Sequence, residues 1–110
     1  MTSDFTTNSL QQSRFERAIA TAFEISPYPP GDTGAAIIRA TLETVSARPA
    51  PTGYEQFAAL FRGPVEPSLP QGTYHFRHAE LGELPLFMVP VGRDQAGTVY
   101  EVCVSRKLSP

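Results

Sequence analysis

Apolar and polar residues alternate along most of this chain, and proline and glycine interrupt the alternation at short intervals. A period of two puts successive side chains on opposite faces of a strand, so the pattern predicts short strands. The clearest covers positions 36–46, where Ile38, Ala40 and Leu42 oppose Arg39, Thr41 and Glu43. Such a strand buries one face and wets the other. Positions 21–25 group Thr21, Phe23 and Ile25 against Ala22 and Glu24, which sends Phe23 inward. Positions 54–62 carry apolar residues on both faces, Phe57, Ala59 and Phe61 with Glu55 against Tyr54, Gln56, Ala58 and Leu60. The pattern there leaves the buried face open.

Strands at 72–78 and 83–91 flank a turn at 79–82, with Tyr74 and Phe76 on one face of the first. A turn at 92–97 leads to a last strand at 98–105, where Tyr100, Val102 and Val104 oppose Val99, Glu101 and Cys103. One stretch has a different period. Over positions 9–20, Leu10, Phe15 and Ile19 share a helical face, and Asn8 or Ser9 can cap the first turn. A helix this short must be held by packing that stripe against the sheet. The predicted fold is mainly β, a small six-stranded antiparallel barrel or sandwich with one short N-terminal helix, its strands following one another as a meander. Positions 1–8 and 107–110 read as tails around a single domain at 9–106.

With 110 residues, 41% of them hydrophobic, the chain supports one core. The formal charge of −2 comes from interleaved acids and arginines, so no face is basic enough for a nucleic-acid backbone. No apolar run approaches the ~20 residues of a membrane span, and the polar start does not resemble a signal peptide. With Cys103 as the single cysteine, the expected compartment is the cytoplasm, and signal-less export is compatible with the same features.

Candidate chemistry is sparse. His75 and His78 are three apart on a strand and point to opposite faces, so they cannot share a metal ion, and both read as surface histidines. Cys103 has no activating partner nearby and reads as a structural thiol. Glu80 and Glu83 read as solvated residues beside a turn, too few for a calcium loop. Pro64, Pro67 and Pro70 mark a rigid connector, beside which Arg62 is expected to bond loop carbonyls. No catalytic residue, metal or cofactor is expected.

The outer face of the strand at 83–91 is the candidate interface. Leu84, Leu86 and Met88 point inward, which leaves Phe87, Val89 and Pro85 on the face of Glu83, where water would ordinarily be. Either the N-terminal helix covers them with Leu10 and Phe15, or another protein chain does. Pro85 and Pro90 lack donors on opposite edges, which suggests an edge or near-edge strand.

The stretch 61–101 includes Phe61-Arg62-Gly63-Pro64, Gly72-Thr73-Tyr74, and Leu84-Pro85-Leu86-Phe87-Met88-Val89-Pro90-Val91-Gly92-Arg93-Asp94. It resembles a bacterial family of domains of unknown function, the DUF6916 type. Leu10, Phe15, Ile19 and Phe23 are similar to that family's N-terminal hydrophobic pattern, although Ala20 stands where a glycine is expected. The resemblance implies no inherited activity. Through the genes its members lie near, it implies a part in assembling a phage-tail-like or extracellular structure. The expected function is a non-catalytic interaction or assembly module that meets a protein partner or a second copy of itself. The alternative is a small β-barrel enzyme or ligand carrier with a pocket inside the barrel.

Overall fold

The computed structural model describes residues 11–29 and 36–108. A helix, α1 (Gln12–Arg17), precedes β1 (Ala22–Pro27), β2 (Ile38–Arg48), β3 (Tyr54–Gly63), β4 (Gly72–His78), β5 (Gly82–Asp94) and β6 (Gly97–Lys107). Every strand pairing is antiparallel, and the six close into a ring in the order β1-β2-β3-β6-β5-β4, with β4 returning to β1. The fold is therefore mainly β with one short helix, but it is not a meander. β3 pairs with β6 and β1 with β4, because the proline-rich connector at 64–71 carries the chain away from β3 instead of turning back beside it.

Two strands act as corners. β2 pairs with β1 through Ile38–Thr41 and with β3 from Thr41 onward, so Thr41 has a registered partner on both sides. β5 pairs with β4 up to Met88 and with β6 from Met88 onward. Each corner strand carries an irregularity just beyond its switch, between Leu42 and Thr44 and between Pro90 and Gly92. Bulges of this kind bend a strand so that it can pass from one neighbour to the other around the ring. The same register refines the expected edge or near-edge position, because β5 lies between β4 and β6 in the ring while its residues up to Phe87 are registered only on β4. Pro85 has a partner only toward β4 and Pro90 only toward β6. Each proline thus has one flank on which a missing N–H interrupts no ladder.

The interior is filled by side chains. Phe15, Phe23, Phe57, Phe61, Phe76 and Tyr100 are fully buried together with Ile25, Leu42, Met88 and Val102. Phe23 meets Phe61 edge-on at 5.0 Å, Phe61 meets Phe76 at 5.3 Å, and Phe15 meets Phe57 at 5.2 Å. Tilted and edge-to-face rings add about 0.5–1.5 kcal/mol per pair beyond the area they bury. Phe57, Ala59 and Phe61 settle the inner face of β3, and Ala58 on the other face is buried as well.

α1 is shorter than the pattern suggested, and Gln11 precedes it without a side-chain cap. Asn8, Ser9 and Leu10 lie outside the described residues. Phe15 turns into the core, whereas Ile19 is exposed, because the helix ends before it and the helical spacing no longer applies. Ala20 follows in the left-handed region, with φ 73°. Its N–H donates to the Leu42 carbonyl at 2.8 Å, and the Leu42 N–H donates back to the Thr21 carbonyl at 3.1 Å.

The turn expected over 92–97 is shorter. β5 continues to Asp94, leaving Gln95 and Ala96 as the loop, and Asp94 Oδ1 accepts the Ala96 N–H at 2.8 Å. Gly97 then passes so close to β3 that a Cβ built on it would lie 2.0 Å from the Gly63 carbonyl oxygen. The connector is fixed by Tyr100, whose hydroxyl accepts the Leu69 N–H at 2.8 Å, and by Tyr74, whose hydroxyl donates to the Pro70 carbonyl at 2.8 Å.

Candidate interaction surface

Pairing register places the outward residues of β5 between those of its neighbours. Pro85 stands opposite His75 and Phe87 opposite Thr73 on β4, while Val89 stands opposite Glu101 on β6. Leu84, Leu86 and Met88 are buried, as the alternation requires, and Phe87 is 52% exposed. Pro85 is also exposed, and Val89 is half-buried. Val91, within the β5 irregularity, is 53% exposed and prolongs the apolar exposure along the strand. Sequence reasoning did not single it out, although Pro90 and Gly92 on either side are the residues that mark a bulge. Phe15 does not cover Phe87, as one of the two expectations had it, since it is directed onto Phe57 and Phe23 inside the barrel; Leu10, the other residue of that expectation, lies outside the described residues.

Around this strip the polar and charged side chains are bonded to one another. His75 Nε2 lies 2.9 Å from Glu83, Arg48 bonds Glu101 at 3.0 Å, and Arg93 bonds Glu66. An apolar centre bordered by mutually satisfied polar groups is the ordinary anatomy of a protein interface. Arg62 binds the carboxylates of Glu43 at 2.8 Å and Asp94 at 2.9 Å, not the loop carbonyls expected of it. These neighbours raise its pKa above the ordinary value, led by the Glu43 hydrogen bond.

His78 is buried, not on the surface as expected. Its Nδ1 accepts the N–H groups of Glu80 at 3.0 Å and Leu81 at 3.2 Å, so the ring proton lies on Nε2 and is donated to Thr21 Oγ1 at 2.8 Å. Burial pushes its pKa below the ordinary value, with Glu80 opposing weakly. Beside it, a groove of about 500 Å³ is lined by Ala22, Glu24, Arg39, Arg77, His78 and Glu83. Within it the Arg77 hydrogen bond lowers the pKa of Glu24, and both nitrogens of His78 are already engaged. Cys103 is exposed on the outer face of β6. Among the described residues, no group of three or more His, Cys, Asp or Glu side chains is placed to hold a metal ion. No described helix is long and apolar enough to cross a membrane.

These features define a small antiparallel β domain with a filled interior and an apolar strip on the outer face of one strand. The chain belongs to the DUF6916 family, a domain of unknown function, which matches residues 10–104. Comparison with curated proteins found no match, and comparison with solved structures found none either.

Proposed function

We propose that this domain is a non-catalytic protein-interaction module that docks through the outer face of β5, with Phe87 as the anchor and Pro85 and Val89 beside it. The observation that carries the reading is the exposure of Phe87 at 52% beside Met88, where β5 passes from β4 to β6. An aromatic side chain left in water between ion-paired neighbours loses the burial that would stabilise it, and a partner restores that burial. The filled interior supports this reading over a ligand carrier, because six aromatic rings occupy the space a ligand would need. A subunit of a tail-like or filamentous assembly is one setting for such a module.

Affinity purification from the native host, with wild type and Phe87→Ser compared by mass spectrometry, tests the proposal. A half-exposed phenylalanine contributes about 1 kcal/mol of burial to the fold, so the variant should remain folded. It should lose a protein that the wild type retains. Unfolding of the variant, or an unchanged set of bound proteins, would overturn the assignment.

A further inference from the structure

The corner strands leave flanks of backbone where one neighbour departs. Where β2 leaves β1, α1 and the bond from Ala20 to Leu42 lie alongside. Where β5 leaves β4, the connector fills the place, held by Tyr100 and by the ion pair between Glu66 and Arg93. Where β5 leaves β6, the β6 backbone at residues 103–107 remains paired with β3, but no described strand is registered on its other flank. In an antiparallel ladder the backbone groups of alternate residues point to either side, so about half of this flank's N–H and C=O groups face away from β3. β5 cannot extend its own ladder there without meeting Pro85. Continuing the register from Met88 and Val102 would bring Pro85, which has no N–H, opposite Ser105.

We propose that this flank of β6 is a strand-addition site for an extended segment of a partner protein; the proposal rests on the interaction reading above and specifies its mode. Unpaired strand backbone selects an extended peptide, and the side chains along it select the sequence. Val104 is buried on the inner face, while Cys103 and Ser105 on the outer face are small and exposed. An added strand with alternate apolar residues matches that surface, and Phe87 adjoins Met88, the residue at which β5 leaves β6 opposite Val102. Lys107 is exposed and has no ion-pair partner among the described residues, which favours an acidic residue at that end. Charge also argues against a second copy of the same flank. Residues 103–107 contain Arg106 and Lys107 and no acid, so self-pairing leaves Lys107 without a counter-ion.

The test uses the full chain, a random-peptide display library and amide hydrogen exchange followed by NMR. In the free protein, alternate amides of residues 103–107 should exchange fast while those bonded to β3 exchange slowly. Selected peptides should alternate apolar residues, carry an acid near one end, and slow the fast amides by roughly tenfold or more, as burial in a ladder requires. Failure to select any peptide, or protection of a different segment, overturns the proposal. Slow exchange of all these amides in the dilute free chain also overturns it, since the flank is then already filled. Protection that grows with protein concentration without peptide would assign the flank to a second copy instead. Phe87→Ser separates the two claims. Loss of binding without protection at 103–107 leaves the β5 anchor standing and removes strand addition, whereas protection that survives Phe87→Ser does the reverse.

Discussion

Replacing Ala20 by glycine should make the domain more stable, although it removes a methyl group and adds no contact. Ala20 adopts φ 73°, where the Cβ of an L-residue crowds its own backbone at a cost of about 1–2 kcal/mol. Its side chain is exposed, so deleting the methyl leaves no cavity. The N–H that bonds the Leu42 carbonyl is kept. Against the relief stands the greater freedom of glycine in the unfolded chain, about 0.4–1 kcal/mol. The balance is a gain on the order of 0.5–1 kcal/mol, or roughly 2–6 °C in Tm for a domain of this size. Thermal and urea unfolding measure it directly. Ala18→Gly is the control, because Ala18 is buried with φ −94° and should lose stability on the same change. A fall in Tm for Ala20→Gly would refute the account of the turn, and so would equal effects at the two positions.

Phe76→Ala removes a fully buried ring that packs on Phe61 and Phe23, and should cost about 3–5 kcal/mol by urea unfolding; a loss below about 1 kcal/mol would contradict its place in the core. Gly97→Ala sets a Cβ against the Gly63 carbonyl at 2.0 Å and should cost about 3 kcal/mol or more, reported by a large drop in the urea midpoint, while Gly82→Ala, with open space around it, should lose only its left-handed allowance of about 1 kcal/mol. The lowered pKa of His78 ties stability to pH. The unfolded chain takes up the imidazole proton more readily, so stability is complete above about pH 6.5 and falls as pH drops from there toward the folded-state pKa. Titration of the His78 ring by NMR should show that depressed pKa, and His78→Gln should weaken the domain at pH 8 while flattening its decline in acid.

Individual strands were legible because burial on one face leaves a local signature. Ile38, Ala40 and Leu42 against Arg39, Thr41 and Glu43 could be read without knowing what β2 packs against. β3 was ambiguous for a physical reason, since Ala58 on its outer face is buried too. Strand order was not legible. The pairing of Phe57 with Val104 joins residues that no local pattern connects, and a strand's alternation says which face is buried without saying which strand lies beside it. Phe87 could be found because an aromatic residue on the wet side of an alternation is anomalous, and that anomaly survives in the fold as exposure. His78 was misread because its burial depends on two turn N–H groups that converge on its ring only after the β4–β5 hairpin closes. Ala20 left a faint trace, an alanine where a glycine is expected, and the positive φ gives that trace its meaning.

The corner strands also bear on how the chain reaches this fold. β2 and β5 each divide their length between two neighbouring strands, so neither half of the ring holds a complete set of strands. β1 must find β4, and β3 must find β6, before the ring shuts, and both encounters close long stretches of intervening chain. A topology dominated by such distant encounters folds on the millisecond-to-second scale instead of the microseconds of a helical bundle. It also admits no stable half. Cutting the chain between β3 and β4 would strip β3 of β6, and β1 of β4, so neither fragment would retain a self-sufficient core, and the intact domain should lose its structure in one cooperative step.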